Sequence, residues 1–145
     1  MTEKDLFRFK YAVFEERRRR LVLIEHETRM NAVRLSSTPT APGGGGSDTS
    51  GKVAADLDRI DRCRAKLKEA IEEVSLAELV LESARKHLDD KERVVFDSLY
   101  FGYVNHVGER VFYTIGEAAK KLNYAQSTIY GIRHKILEKV APLPV

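Results

Sequence analysis

Apolar residues return along this chain with a helical rhythm nearly everywhere outside one short interval. From Val53, positions 53, 57, 60, 64, 67, 71, 74, 78, 81, 85 and 88 step alternately by four and three, and all but Arg64, Glu78 and Arg85 are apolar. Such a ladder is the seam of a long packed helix. Ala70, Ala77 and Ala84 lie beside it and can share the contact. The string Ser75-Leu76-Ala77-Glu78 offers a capping box, so one continuous helix and a kinked pair both fit. Upstream, Leu6, Phe7, Phe9, Tyr11, Val13, Phe14, Leu21 and Ile24 form a less regular apolar segment. Its natural partner is the later helix, folded back antiparallel. A hairpin within one chain competes with a dimeric coiled coil for this seam, and both stay open.

Near the C-terminus the stripes become shorter. Thr114 and Glu117 form a T-x-x-E capping box, in which the Thr hydroxyl accepts from a backbone N–H three residues on while the Glu reaches back. Ile115, Ala118, Ala119 and Leu122 then recur at i, i+3, i+4 and i+7, an apolar stripe with two small residues. Asn123 follows, and Asn tolerates the left-handed backbone that ends a helix. After this turn Ile129, Ile132, Ile136 and Val140 make a second stripe. Ser127, Tyr130, Gly131, His134 and Lys135 lie around the opposite face, with Gln126 and Arg133 at its flanks.

Two amphipathic helices at this spacing resemble a helix-turn-helix of the sigma-factor type, the region 4 module that ends bacterial sigma factors and many regulators. The likeness extends upstream to Leu88, Asp89 and the run Lys91-Glu92-Arg93-Val94-Val95-Phe96, with Leu99, Tyr100 and Phe101 behind it, which looks like the supporting helix of that family. Asp89 and Glu92 supply its capping box, and Val95, Phe96, Leu99 and Tyr100 its apolar face. Two positions depart from the pattern. Asn123 stands where the family usually has Gly. Ala125 stands where it favours Ser as the cap of the reading helix, a loss of about 1 kcal/mol, and Gln126 or Ser127 is the alternative cap.

Residues 102–113 connect the supporting helix to the motif and are too apolar for a free loop. A hairpin or wing at residues 105–110, closed at Gly108, is one reading, and an extended cover over the helical core is the favoured one. Residues 36–51, SSTPTAPGGGGSDTSG, carry no large apolar side chain and cannot bury enough surface to offset the entropy of ordering them. Placed ahead of a terminal helix-turn-helix, this loop and the helix after it are similar to those of the ArpU and RinA type phage regulators, associated with late, packaging or lysis genes. The expected organisation is all-α: a helical segment over 1–35, a flexible loop over 36–52, a long helix or kinked pair over 53–87, and a sigma-like DNA-binding domain over 88–145. In coarser terms, a coiled-coil-like N-terminal hairpin precedes the helix-turn-helix.

Charge sharpens the picture. Lys and Arg balance Asp and Glu through residue 90, so the whole net charge of +3 falls in residues 91–145, which contain the two helices that resemble a DNA-binding motif. Gln126, Ser127, Tyr130, Gly131 and His134 are the candidates for the base edges, Gly131 by letting the backbone approach. Lys120, Lys121, Arg133, Lys135 and Lys139 are the candidates for phosphates. Four consecutive arginines, 17–20, spread around a helix instead of forming one patch and have Glu15, Glu16, Glu25 and Glu27 within helical reach. A salt-bridged face is therefore favoured over an accessory phosphate or polymerase contact.

Catalysis has little support. The single cysteine, Cys63, reads as a small core residue and excludes an intrachain disulfide framework. The four histidines show no metal-ligand spacing, and Gly43 to Gly46 lack the Lys-Ser/Thr end of a nucleotide loop. Asp89 beside Asp90 is better explained by capping than by acid-base chemistry. No metal or cofactor is implied, and no apolar run is long enough for a membrane span. The expected location is the cytoplasm of a bacterial host. The expected partner is double-stranded DNA, with RNA polymerase and a second copy of the chain as further candidates. A small terminase-like packaging subunit and a helical adapter for polymerase or another protein are the alternatives to a promoter-binding regulator.

Overall fold

The computed structural model describes residues 1–36 and 46–145, whose regular elements are five α-helices and one small hairpin. They are α1 (Glu3–Ser36), α2 (Gly46–Arg85), α3 (Asp90–Phe96), β1 (Tyr103–Val104), β2 (Arg110–Val111), α4 (Ile115–Leu122) and α5 (Gln126–Val140). The all-α expectation and the long N-terminal helix pair are both met. Residues 37–45, the heart of the expected loop, lie outside the described residues. The helix after them starts at Gly46 instead of residue 53, and it runs through Ser75 as one helix, the first of the two readings left open. Once an amphipathic stretch has nucleated a helix, each added residue gains a hydrogen bond at little cost, so weak formers at an end are recruited.

The chain divides into two compact units, one of residues 1–14 and 73–145 and one of residues 15–72. In the first, Arg8 of α1 holds Glu73 of α2 through two bonds of 2.5 and 3.0 Å. In the second, Arg64 of α2 reaches Glu27 of α1 at 3.2 Å.

Half of the predicted seam is displaced by one residue. Positions 60, 67, 74, 81 and 88 face inward as expected, but 63, 70, 77 and 84 accompany them in place of 64, 71, 78 and 85. The physical reason is desolvation: the displaced register buries Ala70, Ala77 and Ala84, half-buries Cys63, and leaves Arg64 exposed with Glu78 and Arg85 at the boundary. Leu57 and Ile71 are left exposed as a result. Arg85 instead grips Asp97 through two bonds of 2.9 Å.

The first unit does not begin at residue 88, where the expected domain begins. Leu6, Phe9 and Val13 of α1 and Ala77, Leu81, Ala84 and Leu88 share one core with Val95, Phe96, Leu99 and Tyr100 and with the buried faces of α4 and α5. Aromatic rings make much of this junction, Phe7 lying 5.1 Å from Tyr100 and Phe9 5.4 Å from Phe101. Three short helices have too little apolar surface to close a core by themselves, and the first turns of α1 supply the missing layer.

α3 starts at the expected capping box, complete in both directions: Glu92 N–H donates to Asp89 at 2.8 Å and Asp89 N–H donates to Glu92 at 3.0 Å. Accepting the Glu92 N–H holds the Asp89 carboxyl below its ordinary range. The helix then widens into a π turn over Asp97–Phe101, where Gly102 N–H reaches back to the Asp97 carbonyl. Gly102 leaves the turn at φ 74, and a Cβ there would stand 2.7 Å from the Val111 carbonyl oxygen. Only glycine combines that backbone angle with that close approach.

Candidate nucleic-acid interface

α4 begins on Thr114, whose hydroxyl accepts from Glu117 N–H at 3.3 Å. The Glu117 carboxylate turns back to the Thr114 hydroxyl at 3.1 Å, not to the backbone N–H that a full capping box would use. Asn123 ends the helix at φ 59 and ψ 42, the left-handed conformation expected of it. Ala125 is the cap of α5 with extended backbone and no side-chain bond, so neither Gln126 nor Ser127 takes over that role.

On α5, Ile129, Ile132, Ile136 and Val140 are all buried, as their spacing predicts. Gln126, Ser127, Tyr130, Gly131 and His134 are exposed together along the opposite face, Tyr130 to 51%. No atom of the described residues lies within 4 Å of where a Cβ on Gly131 would stand, which leaves room for a close approach there. Gln126 leans back across the turn, its Nε2 3.4 Å from where a Cβ on Gly116 would stand. His134 pairs with Glu138 one turn on, at 3.0 Å.

The five basic candidates separate into two kinds. Lys120 and Lys135 are exposed and have no carboxylate partner among the described residues. Lys121, though exposed, donates to the Tyr113 hydroxyl at 2.5 Å and lies 4.6 and 5.0 Å from the ring centres of Tyr113 and Tyr103. Arg133 and Lys139 are engaged inside the molecule, which sequence spacing did not anticipate. Arg133 clamps Glu3 through bonds of 2.8 and 2.5 Å, and Lys139 pairs with the buried carboxylate of Glu92.

Helical geometry explains both. At about 100° per residue, Arg133 lies roughly 20° beyond one edge of the buried stripe and Lys139 roughly 20° beyond the other. Side chains so placed point along the packing boundary, where a neighbouring carboxylate captures them. The Arg133 bond holds the Glu3 carboxyl below its ordinary value, and Glu3 in turn raises Arg133. Tyr100, which donates to Glu3 at 3.0 Å, is raised chiefly by burial and then by the adjacent carboxylate. Glu92 raises Lys139 in the same way. Glu3 lies 130 residues from Arg133 in the chain, and no local pattern could have coupled them.

The segment before α4 is a hairpin, not the extended cover that sequence favoured. Tyr103 pairs with Val111 and Val104 with Arg110. Asn105 closes the loop by accepting from the N–H groups of Val107 and Glu109, and Gly108 supplies a positive φ of 82. Val104 and Val107 are exposed at its end. Among the consecutive arginines, Arg18 and Arg19 share Glu15 and Arg20 holds Glu16, so these three belong to the salt-bridged face that spacing predicted. Cys63 is half-buried on the α2 seam and is not among the buried core residues, short of the small core residue that was expected. Among the described residues no helix is long and apolar enough to cross a membrane. No known protein family, curated protein or solved structure matches this chain.

Proposed function

We propose that this chain is a sequence-specific DNA-binding regulator of phage or prophage transcription, of the ArpU and RinA type, acting at promoters through α4, the Asn123 turn and α5. One observation carries the reading: α5 is backed by an unbroken buried stripe while Gln126, Ser127, Tyr130, Gly131 and His134 share a single exposed face. A helix held from behind and polar in front is what a major groove admits. In this reading Gln126 and Ser127 at the start of the helix meet base edges first, with Tyr130 and His134 following along the groove. Lys120 and Lys135 hold phosphates on either side, joined by Lys121 when it leaves its tyrosines. Arg133 and Lys139 set the angle of the helix instead of touching DNA. Control of late, packaging or lysis genes follows from the family resemblance.

Selection of bound sequences from random DNA, followed by a reporter carrying the recovered site, tests this directly. Tyr130→Ala or His134→Ala should narrow the preference for the selected site over random DNA by about tenfold, the scale of one lost base contact. Lys120→Ala should weaken all sequences alike and lower the slope of log affinity against log salt by about 1. Equal, sequence-blind losses for all three variants would overturn the assignment of roles, and binding indifferent to salt would overturn the reading itself.

A further inference from the structure

Within the first unit, the start of α1, the π turn, the start of α4 and the middle of α5 border a half-open cavity of about 320 Å³. Four aromatic side chains line it: Phe7, Tyr100, Tyr113 and Tyr130. Glu3 and Arg133 line it too, but their two bonds make them a neutral pair. Lys10 is different. Its ammonium lies 5.7 to 5.9 Å from the ring centres of Phe7, Phe14 and Phe112, and no carboxylate pairs with it among the described residues. Leu99, Thr114 and Ile115 complete the lining, the last two at the N-terminal end of α4, where the first backbone N–H groups lack helical acceptors and favour negative charge, although the Glu117 N–H is already held by the Thr114 hydroxyl.

We propose that this cavity binds a small planar carboxylate, one or two fused rings bearing an acid group. Its volume is at the lower end of ligand pockets, enough for such a molecule. The aromatic walls offer stacking and edge contacts to a ring, and Lys10 together with the α4 terminus offers the counter-charge. A cationic ring of the same shape would be set against Lys10. Neither DNA binding nor the proposed family assigns this site. Its consequence does rest on the proposed function: Tyr130 belongs both to the cavity wall and to the reading face, so an occupant that fixes Tyr130 couples to DNA affinity.

The test is an amide NMR titration of the full chain with indole-3-acetate as the probe and tryptamine as its cationic counterpart, without DNA. Saturable shifts confined to residues around Phe7, Lys10, Tyr100, Thr114 and Tyr130 are expected for the acid, with at least fivefold weaker or absent binding of the amine. Lys10→Gln should weaken the acid at least fivefold and Lys10→Arg should restore it, which separates loss of charge from loss of fold. Absence of saturation, shifts elsewhere, equal binding of the amine, or indifference to Lys10→Gln would each overturn the site. These results stand whether or not the chain binds DNA. A second titration with the selected DNA site should show at least a threefold change in affinity when the probe saturates, and no change would overturn the coupling alone.

Discussion

Ala125 is a residue whose environment asks for another. It caps α5 with extended backbone and without a side-chain acceptor, leaving a first-turn N–H that a hydroxyl would satisfy. Ala125→Ser should therefore stabilise the fold by about 1 kcal/mol, which raises the midpoint of a thermal melt by roughly 3–5 °C. An unchanged melt would show that the N–H is already served. Glu3 makes the opposite case, a residue whose value comes from a distant partner. Arg133 lowers its folded pKa below the ordinary 4.5, so its contribution to stability is complete above that value and is lost as pH falls through the folded pKa. Denaturant titrations across the acid range should show this limb flattened in Glu3→Gln, while a limb equally steep in both proteins would mean that other carboxylates carry it. The cap was legible in the sequence because it is local. The clamp was not, because its two halves meet only in the folded chain.

Single elements show how far periodicity can be trusted. The α2 ladder is a true seam, yet a three-four alternation admits two neighbouring registers, and the displaced one is apolar at every position from Ile60 to Leu88, with small residues where the other has charges. Leu57 fits the count and is exposed, whereas Ile60, three residues on, is 4% exposed. Leu57→Ala should change stability by no more than about 0.5 kcal/mol, and Ile60→Ala should cost about 2–5 kcal/mol. Chemical denaturation of the two variants separates them, and equal losses would contradict the displaced register. The cost of burying Arg64 and Arg85 was a signal already present in the sequence, and weighting it would have moved the seam to Cys63, Ala70, Ala77 and Ala84. The hairpin before α4 carried its own signal in Asn105 and Gly108, but its apolar content argued equally for a cover. Pairing of Tyr103 with Val111 is decided by the backbone of both strands together.

At the scale of the whole molecule, the DNA-binding candidate does not stand on its own segment. The core beneath α5 includes Leu6, Phe9 and Val13 from the other end of the chain and Leu81 from α2. Full burial of one such side chain is worth about 1.5–3 kcal/mol, and losing the layer outweighs the margin by which a small domain is stable. A fragment of residues 88–145 should therefore lack a cooperative melt by circular dichroism, while the full chain melts cooperatively. A well-folded fragment would show the N-terminal layer to be dispensable. The same docking places Glu3 on Arg133, so the orientation of α5 answers to the first turn of α1.

What the sequence alone determined is what short-range physics determines: the helices α4 and α5, the left-handed Asn123 between them, the buried isoleucines of α5 and the complete Asp89–Glu92 cap. These depend on residues three or four positions apart, and a helix repeats on that spacing. Tertiary structure decided the rest. It chose the register of α2, drew the start of α1 into the C-terminal core, and tied Arg133 to Glu3 and Lys139 to Glu92. Each of those outcomes depends on which charge meets which across a packing boundary, and that is known only when distant segments are brought together.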